Sequence, residues 1–291
     1  MLIVNNTHRV RIIKRIIIFV LTIVFLLSSC GERNSIHVIS REAGSGTRST
    51  FVKTFALTDE KGYDLTRADA DINDSTGVMI ANVSSDVSAI GYASIVALSQ
   101  RVKALSIDGV SPTPENVISG KYKANRALLV VIRPDISEEA YDFINYILSE
   151  QGQDVVNRAG YVSLPYCNEY QKNDLSGKVT VAGSSSVAPV IERLAEKYEL
   201  VSGIDIEIQQ SDSSSGIRSL SEGICDIALS SRDLTQTELS YGLVAYEIAY
   251  DALAVIVNPE NTLTDLSSEQ IKAIYKGDIH YWYEVTNDKI S

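Results

Sequence analysis

The chain has 291 residues, 45% of them hydrophobic and 22% charged, a profile that excludes disordered and collagen-like polymers and gives length enough for two mid-sized domains. Its formal charge is −11, and the first 29 residues hold four basic side chains (Arg9, Arg11, Lys14 and Arg15) and no acid, so the acidity belongs to the rest of the chain. Such a surface repels polyanions, and nucleic acid is not an expected partner, whereas a small anion held by hydrogen bonds inside a cleft stays compatible with it.

The basic stretch from His8 to Arg15 precedes an apolar run from Ile16 to Leu27, followed by Ser28-Ser29-Cys30-Gly31. These are the parts of a secretory leader, and the run is shorter than the roughly 20 residues of a spanning helix. Leu27-Ser28-Ser29-Cys30 resembles a bacterial lipobox, which implies a signal peptide over 1–29, acylation of Cys30 and an anchor or linker over 30–35. Behind it, Ile36 to Ile39 predicts a strand, Ala43 to Thr47 a glycine-rich turn and Ser49 to Phe55 a helix. Strands are predicted at Ala89 to Tyr92 and Ala127 to Ile132, and a helix at Glu138 to Ser149. Pro165 to Lys178 lacks periodicity and reads as a surface linker.

The strand-turn-helix pattern recurs after the linker at Val179 to Ala182, Gly183 to Ser186 and Val187 to Tyr198, where Val190, Ile191, Leu194, Ala195 and Tyr198 keep helical spacing. It recurs again at Ile204 to Ile208, Asp212 to Gly216 and Ile217 to Gly223, with Gly216 permitting close backbone approach. Strands at Asp226 to Leu229 and Leu253 to Val257 and a helix at Ser267 to Tyr275 complete an α/β chain. Cys167 and Cys225 have no metal-ligand spacing, and Cys225, inside an apolar run, reads as a small buried hydrophobe. No metal or cofactor is expected.

Each of the three serine-rich turns places hydroxyls and unpaired backbone N–H groups at the start of a helix, where the helix dipole favours an anion. One such turn alone is an ordinary N-cap. Arg41, just ahead of the first turn, adds a fork of charged hydrogen bonds suited to a tetrahedral oxyanion, with Ser45, Thr47, Ser185 and Ser213 as neutral donors. There is no Gly-x-Ser-x-Gly elbow, and outside the leader only His37 and His280 offer an imidazole, so an enzyme is not expected.

Arg41-Glu42-Ala43-Gly44-Ser45-Gly46-Thr47-Arg48, Gly183 to Pro189, Ser213 to Arg218 and Asp226 to Arg232 resemble signatures of the phosphate-binding proteins of bacterial ABC transporters, as do Asp251 to Asn258 and Tyr275 to Ile279. The resemblance implies a two-lobe periplasmic-binding-protein-like (type II) fold with the ligand cleft between lobes. It implies inorganic phosphate as ligand, ABC permease subunits as partners, a monomer, and an extracytoplasmic site on the bacterial cell membrane reached through the Cys30 lipid anchor. Arg41, Ser45, Gly46 and Thr47 would form one lip of the site, and Ser185, Ser186 and Ser213 the other. Ser231 falls where some relatives place an aspartate that accepts a proton from the ligand, and Asp251 is the candidate replacement, with Asp226, Asp212 and Asp233 as weaker options. Another oxyanion (sulfate, molybdate or tungstate), or a sensing or adhesion role without transport, are the alternatives.

In that family the Gly-Ser-Ser-Ser turn comes first and the Arg-Glu-Ala-Gly-Ser-Gly-Thr turn midway, whereas here the order is reversed. Reading 183–291 and then 36–164 restores it, so a circular permutation is expected, with a fragment of a tandem array as the competing explanation. One lobe is then expected over 33–98 with 259–291, and the other over 99–258.

Overall fold

The short apolar runs become the middle of a mixed sheet covered by helices. A computed structural model of the chain describes residues 35–165 and 168–287. The expected leader, Cys30 and Cys167 lie outside the described residues. The elements run β1 (His37–Arg41), α1 (Gly46–Thr54), β2 (Asp71–Asn73), α2 (Thr76–Ser85), β3 (Ala89–Ser94), β4 (Lys103–Ala104), β5 (Ser106–Ile107), α3 (Pro114–Ile118), β6 (Asn125–Ile132), α4 (Glu138–Ile147) and α5 (Glu150–Arg158). Then follow β7 (Gly177–Ser184), α6 (Ala188–Ser202), β8 (Ile204–Ser211), α7 (Ser213–Ser221), β9 (Ile227–Ser230), α8 (Gln236–Ser240), β10 (Val244–Val257), β11 (Asp265–Leu266), α9 (Ser268–Lys276) and α10 (Trp282–Asn287). No helix among the described residues is long and apolar enough to cross a membrane.

Two units separate. In the small one, Ser35 bridges to Tyr281, the Ile36 N–H donates to the His280 carbonyl at 2.7 Å, and Glu284 accepts from the N–H groups of His280 and Tyr281 at the start of α10. The body, His37–Ile279, carries everything that follows. Its sheet has the order β2-β1-β3-β10-β6-β9-β7-β8, with β4 also beside β10. Around β1 and around β7 the pairing is parallel, while β10 runs antiparallel to β3, β4 and β6. The 14-residue β10 changes partner along its length: Val244–Ala252 faces β6, and Leu253–Val257 faces β3. Every residue from Ala252 to Val257 is buried, as for a strand covered on both faces.

Beside β1 and β3, Phe51 stacks on Tyr92 at a centroid distance of 4.0 Å and packs with Phe55 and Tyr275. Around β7 to β9, α6 buries Val190, Ile191, Leu194, Ala195 and Tyr198, the predicted face, against Phe143, Ile144 and Ile147 of α4. The predicted helix over 138–149 ends at Ile147, because the Ser149 side chain accepts from the Gly152 N–H and starts α5. The stretch read as a surface linker is pinned down: Asp142, buried, accepts from Tyr170 and Tyr198 hydroxyls at 2.6 and 2.7 Å and from the Asn173 side-chain amide. Cys225 is a buried free thiol pushed up to about 11 by burial.

Candidate anion site

The serine-rich turns divide into caps and non-caps. Ser45 caps α1, accepting from the Arg48 N–H at 3.3 Å. At α7 the cap is Asp212, whose carboxylate accepts from the Ser215 N–H at 2.9 Å, so Ser213 is released from capping and its Oγ instead accepts from the Ser231 N–H at 3.2 Å. No side chain caps α6, which opens with Pro189, and Ser185 and Ser186 turn toward the Arg41 side. The turns meet at backbone distance. A Cβ on Gly46 would lie 2.5 Å from both Ser213 Oγ and Ser231 Oγ, and one on Gly216 would lie 2.5 Å from the Gly183 Cα, so only glycine lets these segments close.

The result is a buried cluster of donors around one guanidinium. Arg41, 2% exposed, pairs both Nε and Nη2 with the Glu42 carboxylate at 2.8 Å, donates from Nη1 to Thr76 Oγ1 at 3.2 Å and from Nη2 to Ser185 Oγ at 3.3 Å. Thr47 Oγ1 and Ser186 Oγ are hydrogen-bonded at 2.8 Å, and Ser184 donates to Ser231 Oγ at 3.1 Å. A second arginine stands behind: Arg126 donates from Nη1 to Thr47 Oγ1 at 2.7 Å and from Nη2 and Nε to Asp251 at 3.1 and 3.3 Å. Asp251 also accepts from Ser94 Oγ at 2.8 Å, and burial pushes its carboxyl up against the pull of Arg126 and Ser94. Beside Ser185 opens a cleft of about 420 Å³, lined by Glu42, Asp74, Ser75, Ser185, Gln210, Ser211 and Asp212. Among the described residues no carboxylate oxygen hydrogen-bonds to Ser185, Ser186, Ser213 or Ser231. The cluster offers the Arg41 guanidinium, already shared with the Glu42 carboxylate, Arg126 behind it and many neutral donors, the chemistry of a tetrahedral oxyanion seat.

A family model described as the PBP superfamily domain matches residues 29–151 and 168–290. The chain is 44% identical over 265 residues to "Phosphate-binding protein PstS 2" of Streptococcus agalactiae serotype V, covering 89% of this chain and 90% of that protein. The chain belongs to the PBP superfamily and, within it, to the PstS family. A PstS 2 of Streptococcus pneumoniae serotype 4 is 35% identical over 275 residues, covering 90% of this chain and 94% of that protein. Among solved structures, a phosphate-binding protein of a phosphate ABC transporter from Streptococcus pneumoniae TIGR4 superposes with a TM-score of 0.69 at 36% identity, covering 86% of this chain and 99% of that one. The α/β periplasmic-binding-protein-like fold expected from the sequence is the fold of this PstS family member.

Of the residues singled out in the sequence, Arg41, Gly46, Thr47, Ser185, Ser186, Ser213 and Ser231 come together in this cluster, while the Ser45 side chain is spent on capping α1. Among the described contacts, Asp251 reaches them through Arg126. Sequence reading passed over Thr76, Arg126 and Ser94. Arg126 left a signal, a lone charge opening the apolar run to Ile132, since arginine is almost never fully buried unless paired. Thr76, in the cap-like Asp74-Ser75-Thr76-Gly77, left none.

Proposed function

We propose that this chain captures inorganic phosphate in the Arg41 cluster and hands it to the permease of an ABC transporter, working as a monomer held at the outer face of a bacterial membrane through acylated Cys30. The observation that carries the reading is the burial of Arg41 among hydroxyls drawn from three separate turns. The printed names of the relatives agree with it. Donors on 41–47 and donors on 184–231 serve the same anion only while the segments are together, so ligand and closure favour each other. The lobes are read to exchange where β10 changes partner at Ala252 and Leu253 and where β6 begins at Asn125; this pairing favours narrower bounds than 99–258. Arg41, Ser45, Gly46, Thr47, Ser185, Ser186, Ser213 and Ser231 touch the anion, and Asp251 supports them by holding Arg126.

Ser231 favours a second reading, a seat that also takes sulfate. Its hydroxyl accepts from Ser184 through one lone pair and carries a proton that an aspartate carboxylate at this position would lack. Calorimetric titration of the full chain in mild detergent, with phosphate and then sulfate, tests both. Phosphate binding is expected, and the absence of a phosphate isotherm overturns the proposal. Equal affinity for sulfate favours the broader oxyanion seat.

A further inference from the structure

Thr76 belongs to none of the serine-rich turns and stands 35 residues from Arg41 in the chain, yet it touches the charged centre of the cluster. It is the first residue of α2, whose cap is the preceding side chain: Ser75 Oγ accepts from the Val78 N–H at 3.2 Å. Neither the N–H nor the hydroxyl of Thr76 is therefore consumed by capping. Both turn instead to the cluster, the N–H donating to Ser185 Oγ at 3.3 Å, and Oγ1 lying 3.0 Å from Ser186 Oγ and 3.4 Å from Ser185 Oγ. The register of β2 on β1, with Asn73 opposite Arg41, puts it there.

Taken together with the phosphate reading above, on which this inference rests, the geometry points to Thr76 as a direct oxyanion ligand, donating both its hydroxyl and its backbone N–H to a phosphate oxygen. Thr76 Oγ1 accepts from Arg41 Nη1 at 3.2 Å, so a lone pair is engaged by the cation and the proton remains available for donation on the side of Ser185 and Ser186. A hydroxyl that accepts from a charged donor is polarised into a better donor. An oxyanion entering beside Ser185 exchanges neutral hydroxyl–hydroxyl bonds for charge-assisted ones from Arg41, Ser185 and Thr76 at once. The ten-residue α2 adds its positive end behind Thr76, as a helix N-terminus does for any anion placed on it. Thr76 is buried, 6% exposed, so its donors have no competing water shell to leave behind. A fourth chain segment thereby contributes to the ligand shell, and it contributes donors, which favours a fully deprotonated oxygen at that position.

The test is titration of the full chain, in mild detergent, with inorganic phosphate for wild type, Thr76→Val and Thr76→Ser, with thermal melts to check folding. Valine keeps the shape and deletes the hydroxyl, and the expected loss of affinity is roughly tenfold or more, the ordinary worth of a hydrogen bond to a charged group; Thr76→Ser should retain most of the affinity. Wild-type binding with an unchanged Thr76→Val affinity overturns the assignment of Thr76 and leaves the phosphate reading standing. Absence of wild-type binding overturns both. Should Thr76→Val fail to fold, a crystal structure of the wild-type phosphate complex decides: Thr76 Oγ1 within hydrogen-bond distance of a phosphate oxygen supports the assignment, and Oγ1 bound only to Arg41 and the serines overturns it.

Discussion

Deleting the carboxylate of Asp251 strands a guanidinium. Asp251 and Arg126 are 2% and 6% exposed, and two of the three donating nitrogens of Arg126 point at Asp251, so in Asp251→Ala only Thr47 Oγ1 stays as an acceptor among the described contacts. Breaking a buried pair by removing one partner costs about 3–5 kcal/mol, and Ser94 losing its acceptor pushes the value toward the upper end. Against a total stability of roughly 5–15 kcal/mol this is a large share, and the melting temperature should fall by on the order of 10 °C. Replacing both members, as in Arg126→Met with Asp251→Leu, removes the unpaired charge and should return most of the stability, because buried pairs exchanged for apolar groups are commonly neutral. Phosphate affinity should not return with it. Thr47 Oγ1 loses the donor that fixes it, and about tenfold weaker binding is expected from one lost hydrogen bond. Guanidinium unfolding and calorimetry on the single and double variants measure the two effects separately. A double variant no more stable than Asp251→Ala refutes the reasoning, since the stranded charge would then not be the source of the cost.

Arg41→Ala removes the guanidinium that reaches Ser185 and should weaken phosphate binding by about 2–5 kcal/mol in calorimetry, and an unchanged affinity would remove Arg41 from the site. Ser231→Asp places an acceptor where a donor now stands, so it should abolish sulfate binding while phosphate, which can carry a proton, still binds; equal loss of both would contradict the donor role of Ser231. For His37, burial works to lower the pKa, but hydrogen bonds with Asp86 at 2.6 Å and Asp71 at 2.8 Å outweigh it and raise the value above the usual 6.5. The stabilisation is therefore complete below pH 6.5 and lost as pH rises through the raised value. The groups are partly exposed, so the effect is small, but the stability gap between wild type and His37→Asn in urea unfolding should narrow as pH rises above 6.5, and a gap independent of pH would refute it.

The strands that were legible in the sequence are those whose short apolar or alternating run stops at turn residues, serine-rich after β7 and β8 and Pro134-Asp135 after β6. Predicted Val179 to Ala182 and Ile204 to Ile208 sit inside β7 and β8, and predicted Ala127 to Ile132 inside β6. The first nine residues of β10 were missed, because Val244 to Tyr250 is exposed or half-buried apart from Ile248 and Ala249 and its register shifts between Glu247 and Ala249, which blurs a period of two. Helix α2 was missed for a different reason. Ser75-Thr76-Gly77 opens like a turn, and its buried face is only Thr76, Met79, Ile80 and Val83, too brief to announce itself until Met79 and Val83 lie against Gly91 of β3. Tertiary packing decides such a helix, and local preference does not.

The same distinction runs through the site. A motif that carries its own turn, as Arg41 to Thr47 does, can be read in isolation because its glycines, its hydroxyls and its charge stand side by side. Arg126 and Thr76 act on Thr47 and Arg41 across 79 and 35 residues, and nothing local to either records that partnership. Their roles follow from strand neighbours: β2 beside β1 presents Thr76, and β6 beside β10 sets Arg126 opposite Asp251. Strand neighbours also hold the cluster together. Each donor turn is closed by its own strand and helix, 37–54, 177–202 and 204–221, and they meet through the sheet and through hydroxyl contacts. In the small unit Ser35 and Ile36 pair with Tyr281 and His280. The opposite junction, 165–176, carries no helix or strand among its described residues and is fastened through Tyr170 and Asn173 to Asp142. The cluster depends on which strands are neighbours, β2 beside β1 and β6 beside β10.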